Sequence, residues 1–418
     1  MSLAEGVQGV VSYKAYAVGT ITANAEAVSS SDLGASGAQQ LRRVASTLTL
    51  KKATYQSNEI RSDRQIFDFR HGVRTVDGSL SGELSPATYF DFVEAACRGT
   101  KGSALTITQA AMTSVAFSNS SSNCTFAGGD AHTQGIRIGD IIRFTGLTVV
   151  AANNNVNFLV TSMSGSNRVL GLYPAPTVGT ADTTFSLTTN GTSGKSIYVP
   201  SSSFVSRKFG IEEYHTDLDL HRLFTECRVG GFKLSLPPTG LSTIEIPMVG
   251  RDMETASGGS SPFFTSPTAP TTTGILAAVN GLLQVQGSTV GVVTGATLDF
   301  NMNPTTNPVV GQSFVPEIFL GRANVTGQLT ALFQDLTMLN YFVNETEVSV
   351  LMYLTATTAA NSPAMTIYLP RVKFGGGDLP LQGEAGQTIT LPFQALKYGT
   401  AGAGVEATTI RIADTEAS

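Results

Sequence analysis

Two short stretches of the sequence match each other: Val76-Asp77-Gly78-Ser79-Leu80-Ser81 and Val325-Thr326-Gly327-Gln328-Leu329-Thr330, at an offset of 249. Each follows a Thr-Leu pair, Thr47-Leu48 in the first case and Thr297-Leu298 in the second, at an offset of 250. A near-constant offset over several motifs indicates an internal repeat. The surrounding sequence consists of short β-branched or aromatic runs separated by Gly, Pro, Asn and Ser. It therefore predicts a mainly β chain that contains two copies of one unit.

A helix is predicted after the second strand of each copy. Ser85 and Asp335 are again offset by 250, and both residue types can cap the free N–H groups of a helix start. Pro86 suits the first helical turn. Apolar residues then recur at helical spacing, namely Tyr89, Phe92, Val93 and Ala96 in the first copy and Leu339, Phe342 and Val343 in the second. Each stripe can lie on a sheet.

A further matched strand pair, 243–247 and 388–392, has the much smaller offset of 145, so the first copy carries a long insertion. Alternating side chains mark both stretches as half-buried strands. The insertion is rich in Ser, Thr and Asn and predicts a small independent β domain. The expected organisation is an N-terminal arm or strand 1–40, a discontinuous first domain 41–103 and 204–251, an inserted β domain 104–203, a linker 252–274, a second domain 275–400 and a C-terminal arm 401–418.

Composition excludes several functional classes. The net charge of −5 disfavours binding of nucleic acid over the whole surface, because phosphate neutralisation needs clustered Lys and Arg. The longest apolar stretch, 274–296, is interrupted by polar residues, so we expect no membrane insertion. The first residues, MSLAEGVQGVV, lack a basic region before an apolar run, which predicts no secretory signal. Cys97, Cys124 and Cys227 are predicted to be reduced and buried.

The sequence predicts no catalytic, cofactor-binding or metal site, so we do not expect an enzyme. Its best metal-like pattern places His215, Asp217, Asp219 and His221 at alternate positions. On a strand this row is too long for one ion, so a solvated strand face is the preferred interpretation. Gly194-Lys195-Ser196 resembles the end of a phosphate-binding loop, but Thr189 stands where the leading glycine belongs.

Charge is distributed unevenly along the chain. Between Leu41 and Arg74 there are eight basic and three acidic residues, whereas five basic residues face ten acidic ones from Asp299 to the end. A solvated hairpin beside a chance imbalance would explain this pattern. The alternative is a basic protruding loop of one subunit that meets an acidic surface of another.

The residues around this basic segment carry a resemblance to a known family. The stretches 40–52, 57–65 and 78–85 resemble the major tail tube proteins of long-tailed, noncontractile bacteriophages, in a duplicated-domain form. Tyr13-Lys14-Ala15, Phe224 to Val229 and Gly250-Arg251-Asp252 are also similar. The resemblance covers about the first 100 residues and 204–254 well and the second copy more weakly.

The resemblance implies a fold and an assembly. The fold would be two tandem tail-tube β-sandwich domains, each with a flanking helix, plus the small inserted β domain. Three chains would close a pseudo-hexameric ring, and stacked rings would form the tail tube through which the genome is ejected. The hairpin from Lys51 to His71 would contact the next ring, with contact residues Tyr55, Asn58, Glu59, Arg61, Asp63 and Arg64.

The same resemblance implies partners and location. The chain would be a structural virion protein of the phage tail, assembled in the host cytoplasm. Its partners would be further copies of itself and the tail tip, tape-measure and tail terminator proteins. Viral DNA would pass through the lumen without specific binding, and acidic lining residues would repel its phosphates. No cofactor is implied.

Two other functions remain open on the sequence alone. One is a decoration or receptor-binding protein of the virion surface, whose inserted domain binds a host glycan. The other is an unrecognised hydrolase. Tubes or rings in electron micrographs of the purified protein would favour the tail tube over both.

Overall fold

A computed structural model describes residues 5–17, 33–164, 166–191, 194–291, 293–380 and 386–417. The chain is mainly β, as predicted. Within the described residues, one sheet system contains twenty strands, a separate sheet contains eight, and two short strands form a ladder of their own. Of the expected N-terminal arm, residues 1–4 and 18–32 lie outside the described ranges.

The elements before and within the insertion range from two-residue strands to the fifteen-residue β5. Up to the insertion they are β1 Gly9–Ala17, β2 Gln39–Gln40, β3 Ala45–Ser46, β4 Thr49–Gln56, β5 Phe69–Glu83, α1 Phe90–Cys97 and β6 Gly102–Ser103. The insertion contains β7 Thr106–Thr108, α2 Gln109–Met112, β8 Val115–Ser118, β9 Asn123–Phe126, β10 Ile141–Thr145, β11 Asn157–Ser164, β12 Val169–Tyr173, β13 Gly179–Asp182 and β14 Ser186–Thr189.

The remaining strands belong to the large sheet system, except β24 and β25, which pair only with each other. They are β15 Lys195–Tyr198, β16 Arg207–His215, β17 Leu220–Val229, β18 Gly231–Leu236, β19 Thr243–Gly250, β20 Asp252–Ser257, β21 Leu282–Val285, β22 Ser288–Thr289, β23 Val293–Asn301, β24 Thr305–Thr306, β25 Ile318–Phe319, β26 Asn324–Leu332, β27 Val348–Thr355, β28 Ala364–Phe374, β29 Thr388–Ala395 and β30 Arg411–Asp414, with α3 Thr337–Val343 between β26 and β27. Short 3-10 turns cover Gly6–Gln8, Ala151–Asn153, Gly258–Ser260 and Ala278–Asn280.

The repeated stretches pair in the same register in both halves. Ser46 faces Leu80 in the first half, and Ala296 faces Leu329 in the second, at the offsets found in the sequence. The third strand follows the same rule, because Ile246 lies opposite Leu80 and Leu391 lies opposite Leu329. Two units therefore have one pairing pattern. We call them the first unit (β3, β4, β5 and β19) and the second unit (β23, β26 and β29), in which β23 corresponds to β3 and β4 together.

The glycine in each repeated stretch has a steric role. A Cβ on Gly78 would lie 2.5 Å from the carbonyl oxygen of Thr47, and a Cβ on Gly327 would lie 2.3 Å from that of Thr297. Both distances are far below van der Waals contact, so a larger residue would push the paired strands apart. The two threonines occupy equivalent positions of the repeat, so the repeat extends to this close backbone approach.

The two units join edge to edge into one inner sheet. Its order is β4-β5-β19-β18-β23-β26-β29, in which β18 belongs to the first half and β23 to the second. One face of this sheet is apolar and buried in a core shared with β1, β16 and β17 on one side and β27 and β28 on the other. The arrangement is a β-sandwich in each half.

Both predicted helices are present, but they begin later than predicted. The first begins at Phe90, and the Ser85 hydroxyl bonds to the Thr88 hydroxyl at 2.6 Å instead of capping it. In the second, Asp335 does accept the N–H of Thr337 over 2.8 Å. The predicted stripe of α1 is buried throughout, whereas that of α3 is only half-buried and Val343 is exposed.

The inserted region forms its own sheet between Thr106 and Thr189, in the order β13-β8-β9-β12-β11-β10-β14-β7. Its core is separate and contains Phe117, Phe144 and Phe158. Strand β15 lies inside the range expected for the inserted domain, but it pairs with β30 and β6 of the large sheet system.

Two of the expected segments contain strands of the large sheet system. The expected C-terminal arm 401–418 contributes β30, which pairs with β15 and β28 and buries Ile412. The expected linker 252–274 begins with β20, which pairs with β17. Strand β30 pairs with strands that are distant in the sequence, and β20 pairs with the earlier strand β17. Both pairings satisfy backbone groups of strands that would otherwise be unpaired, and local composition does not reveal them.

Candidate assembly and channel surfaces

The predicted contact hairpin is an exposed part of the first unit. Strands β4 and β5 pair from Thr49 opposite Asp77 to Gln56 opposite Phe69, and residues 57–68 form the tip. All six predicted contact residues lie on this hairpin. Five of them are exposed, and Arg61 is intermediate; they are Tyr55, Asn58, Glu59, Arg61, Asp63 and Arg64.

Arg61 is the centre of the tip. Its guanidinium lies 3.7 Å from a Glu59 carboxylate oxygen and 3.4 Å from one of Asp63, and it stacks over the Phe67 ring at 4.2 Å. Arg64 has a left-handed backbone with φ of 57°, which tightens the turn after Arg61. Three of the predicted residues are thus brought together, whereas Tyr55 lies along β4, where its ring covers Gly72.

Large apolar side chains at this tip were missed by the sequence analysis. Ile60 is fully exposed, Phe67 is 72% exposed, and Ile66 and Phe69 are also exposed. A patch of this kind on a projecting hairpin is typical of an interaction surface. The three apolar residues of Ile66-Phe67-Asp68-Phe69 could have indicated this exposed patch. The alternation Phe67-Asp68-Phe69, however, also predicts a half-buried strand.

The matching segment of the second half does not protrude but docks onto the first half. Residues 302–323 connect β23 to β26. In the first unit the corresponding connection is formed by residues 52–68 and the start of β5. Unlike that hairpin, residues 302–323 fold back onto the first half. Their backbone accepts two guanidinium contacts there, from Arg251 to Val315 O at 2.6 Å and from Arg228 to Ile318 O at 2.8 Å. One connection therefore protrudes while its counterpart is docked.

The docked segment covers a cluster of buried charges. Lys208 Nζ lies 2.7 Å from one oxygen of Glu226, and the other oxygen of Glu226 bonds Arg251. Glu317, from the docked segment, lies 3.4 Å from Lys208 Nζ and 3.2 Å from a guanidinium nitrogen of Arg228. Opposite charges in contact compensate for the loss of water around each of them.

The second half carries a matching ion pair that is uncovered. A β-bulge follows Phe209 in the first half and Val348 in the second, which aligns the two strand pairs. By this correspondence Lys208 matches Glu347, and Glu226 matches Arg371. Arg371 binds Glu347 through two hydrogen bonds of 2.7 and 2.6 Å, with the charges exchanged. Both side chains are about two-fifths exposed, at 37% and 41%.

The inner sheet has a polar face that is continuous across both units. The β18–β23 seam, in which Lys233 lies opposite Asp299, joins the two units without interruption. A concave depression of about 880 Å³ lies on this face, along the seam. Charged residues Lys233, Glu245 and Asp299 and the exposed Val44 contribute to its lining. The polar uncharged residues that line it are Thr47, Ser79, Ser81, Ser235, Thr243, Thr297, Thr326 and Gln328.

Charges on this face are few and favour acid. The acidic residues are Asp77, Glu83, Glu245 and Asp299, and the basic ones are Lys51 and Lys233. Lys51 is engaged by Asp77, whose carboxylate lies 3.2 Å from the ammonium. A surface of hydroxyls and amides with a small acidic excess does not hold phosphate.

The histidine and aspartate pattern singled out in the sequence forms no metal site among the described residues. Residues 216 to 219 form the turn between β16 and β17, so His215 and His221 lie on different strands and do not share one continuous strand face. Among the described residues, no group of three or more His, Cys, Asp or Glu side chains could hold a metal ion. Cys97, Cys124 and Cys227 are free and buried, and burial raises the pKa of each thiol above its ordinary value. No helix in the described ranges has the length and apolarity needed to cross a membrane.

Comparison with known proteins identifies one relationship. A family model described as phage tail tube protein matches residues 6–395, which is nearly the whole chain. A search of curated proteins found no match.

Proposed function

The chain belongs to the phage tail tube protein family, and we propose that it polymerises as stacked rings into the conduit for genome ejection. It is a structural protein of the phage tail. In the proposed assembly each chain contributes two tandem tail-tube domains, and three chains close a pseudo-hexameric ring. The observation that carries the proposal is the β18–β23 seam, which already joins two units edge to edge within one chain.

The polar face of the inner sheet would line the lumen. Support comes from its concave shape and from its hydroxyl and amide side chains with a small acidic excess. Such a lining keeps water at the wall and repels DNA phosphate, so DNA passes without specific binding. The apolar face, by contrast, is buried in the core of the sandwich.

The β4–β5 hairpin would contact the neighbouring ring. Its support is the combination of exposed apolar side chains and a local charge cluster around Arg61 at the end of a projecting ladder. Burial of Ile60 and Phe67 against another ring would stabilise stacking through the hydrophobic effect. Assembly would take place in the host cytoplasm, together with tail tip, tape-measure and tail terminator proteins.

Negative-stain microscopy of the purified protein tests this function. Hollow tubes, or rings with threefold symmetry, are the expected result. Compact single particles under all concentrations and salt conditions that keep the protein soluble would contradict it.

A further inference from the structure

The inner sheet has an edge without a partner at each end. At one end β4 pairs only with β5, and at the other residues 376–380 meet β29 through the bridge between Asp378 and Thr390, within the described part of the chain. In the proposed ring these edges join between copies of the chain, and we infer that they join in the register of the β18–β23 seam, with Asp378 opposite Thr49 of the next copy. This inference rests on the proposed ring and specifies its contact.

The register follows from the correspondence between the units. Asp378 faces Thr390 as Lys233 faces Glu245, and both members of the second pair lie earlier in the chain by the offset that relates β19 to β29. Residues 376–380 are therefore the counterpart of β18, which forms the first half's side of the seam.

The other edge is matched in the same way. Thr49 faces Asp77 as Asp299 faces Thr326, again at the offsets of the repeat. In the seam, Lys233 lies opposite Asp299. Replacing each residue by its counterpart places Asp378 opposite Thr49, which is the proposed contact.

The directions of the backbone groups fit this register. Asp378 exchanges two hydrogen bonds with Thr390, of 3.0 and 2.9 Å, so its N–H and C=O point towards β29. In a ladder, alternate residues use opposite edges, which turns Gly377 and Leu379 towards the free side. Pro380 shares the inward direction of Asp378, so its missing N–H does not weaken the proposed contact.

The opposite edge presents the complementary groups. The Thr47 N–H donates to Ser79 O over 2.9 Å, so Thr47 and Thr49 address β5. Leu48 and Leu50 therefore turn their N–H and C=O groups outwards. The proposed register pairs Leu50 with Gly377 and Leu48 with Leu379, and each of these pairs can exchange two hydrogen bonds.

The seam also explains a glycine at the free edge. A Cβ on Gly231 would lie 1.9 Å from Phe300 O across the seam, so only glycine fits this close approach. Its counterpart at the free edge is Gly376, which again has no side chain to block a partner strand. Leu50 and Leu379, which are half-buried in the single chain, become covered in the proposed contact.

The exposed Arg371–Glu347 pair is consistent with the same contact. Within the chain, the segment that follows β23 covers the Lys208–Glu226 pair. The segment that follows β4 forms the rest of the hairpin. When two copies are placed in the proposed register, the base of the hairpin of one copy lies over Arg371 and Glu347 of the other. These two side chains are 37% and 41% exposed in one chain, and the neighbouring copy would cover them in the proposed contact.

Disulfide trapping tests the register. Thr49 and Asp378 are exposed, and across the proposed contact they form a non-hydrogen-bonded pair with Cα atoms about 4.5 Å apart, which a disulfide can bridge. The variant is Thr49→Cys with Asp378→Cys. The matched control is Lys51→Cys with Asp378→Cys, which keeps the same face but is displaced by two positions. The native cysteines are buried, which limits background cross-linking.

Mild oxidation of the assembled protein, followed by non-reducing electrophoresis, gives the result. We expect the Thr49/Asp378 variant to form covalent dimers and trimers at least tenfold more than the Lys51/Asp378 control. Rings or tubes in micrographs of both variants with no preference for the first would overturn the register and leave the proposed function standing. Absence of any assembly by the wild-type chain would overturn both.

Discussion

Lys208 Nζ lies 2.7 Å from Glu226 Oε1, and neither side chain is exposed to solvent. The ion pair is buried because segment 302–323 of the second half lies over it and contributes Glu317. The matched pair in the second half, Arg371 with Glu347, has exchanged charges and open access to solvent. Equivalent positions of the repeat therefore hold an ion pair in both halves, and only one of them is covered within a chain.

This difference predicts unequal effects of equivalent substitutions. Glu226→Gln removes the charge that compensates Lys208 and Arg251 and should destabilise the unassembled protein by about 3–5 kcal/mol. The matched control, Glu347→Gln, breaks an exposed pair and should cost less than about 1 kcal/mol. Denaturant unfolding followed by circular dichroism measures both. Equal losses of stability would contradict the importance of burial.

The hairpin predicts a variant that forms rings but does not stack. Arg61→Glu with Arg64→Glu reverses the charge at the tip and adds negative charge beside Glu59 and Asp63, which the Arg61 guanidinium neutralises in the wild type. We expect tube formation to fall at least tenfold while trimers persist, as measured by sedimentation and microscopy. Arg168→Glu, an exposed change in the inserted domain, is the control and should leave tubes intact. Normal tubes from the double variant would remove the hairpin from the stacking contact.

The polar face predicts protection from large reagents after assembly. Gln328 lies on this face, and Ser120 lies at an exposed turn of the inserted domain. In the unassembled protein, cysteines at both positions should react with a polyethylene glycol maleimide. In tubes, Gln328→Cys should be protected at least tenfold from a polymer whose coil is wider than the lumen measured in micrographs, while Ser120→Cys still reacts. Equal labelling in tubes would place the polar face outside.

Asp414 predicts a fall in stability as the pH rises. Burial raises its pKa from 3.8 to about 7, although its carboxylate accepts N–H bonds from Ala87 and Glu416. Between about pH 4 and 7 the folded chain retains a proton that the unfolded chain has lost, so this stabilisation is complete below about pH 4 and is lost through pH 7. Asp414→Asn should flatten the dependence by up to about 4 kcal/mol.

Unfolding midpoints of the unassembled protein at pH 4.5 and pH 8 measure this effect. Other titrating groups contribute equally to wild type and variant, so the difference between the two proteins isolates Asp414. If wild type and Asp414→Asn lose the same stability between these pH values, burial does not raise the pKa of Asp414.

The repeat was the most informative feature of the sequence. Its constant offsets correspond to the registers of Leu80 with Ile246 and of Leu329 with Leu391, because matched side-chain alternation requires matched pairing. The charged tip around Arg61 was also predictable, since a dense run of Arg, Asp and Glu is solvated.

Other features depend on distant contacts and could not be read locally. Strand β30, near the end of the chain, is defined by its pairing with β15, which follows the inserted domain of the first half. The seam depends on Phe232 stacking on Phe300 at 4.9 Å, and nothing near either phenylalanine indicates the other. The exposed Ile60 and Phe67 resemble core residues in sequence, because apolar residues carry no mark of whether a second chain will cover them.

Cryo-electron microscopy of the assembled protein can show directly whether strands pair between chains. We expect a hollow tube whose rings contain three chains, with a continuous inner sheet that crosses from residues 376–380 of one chain to β4 of the next and turns Thr326 and Gln328 towards the lumen. A tube wall without strand pairing between chains, or a ring lined by any other surface, would contradict it.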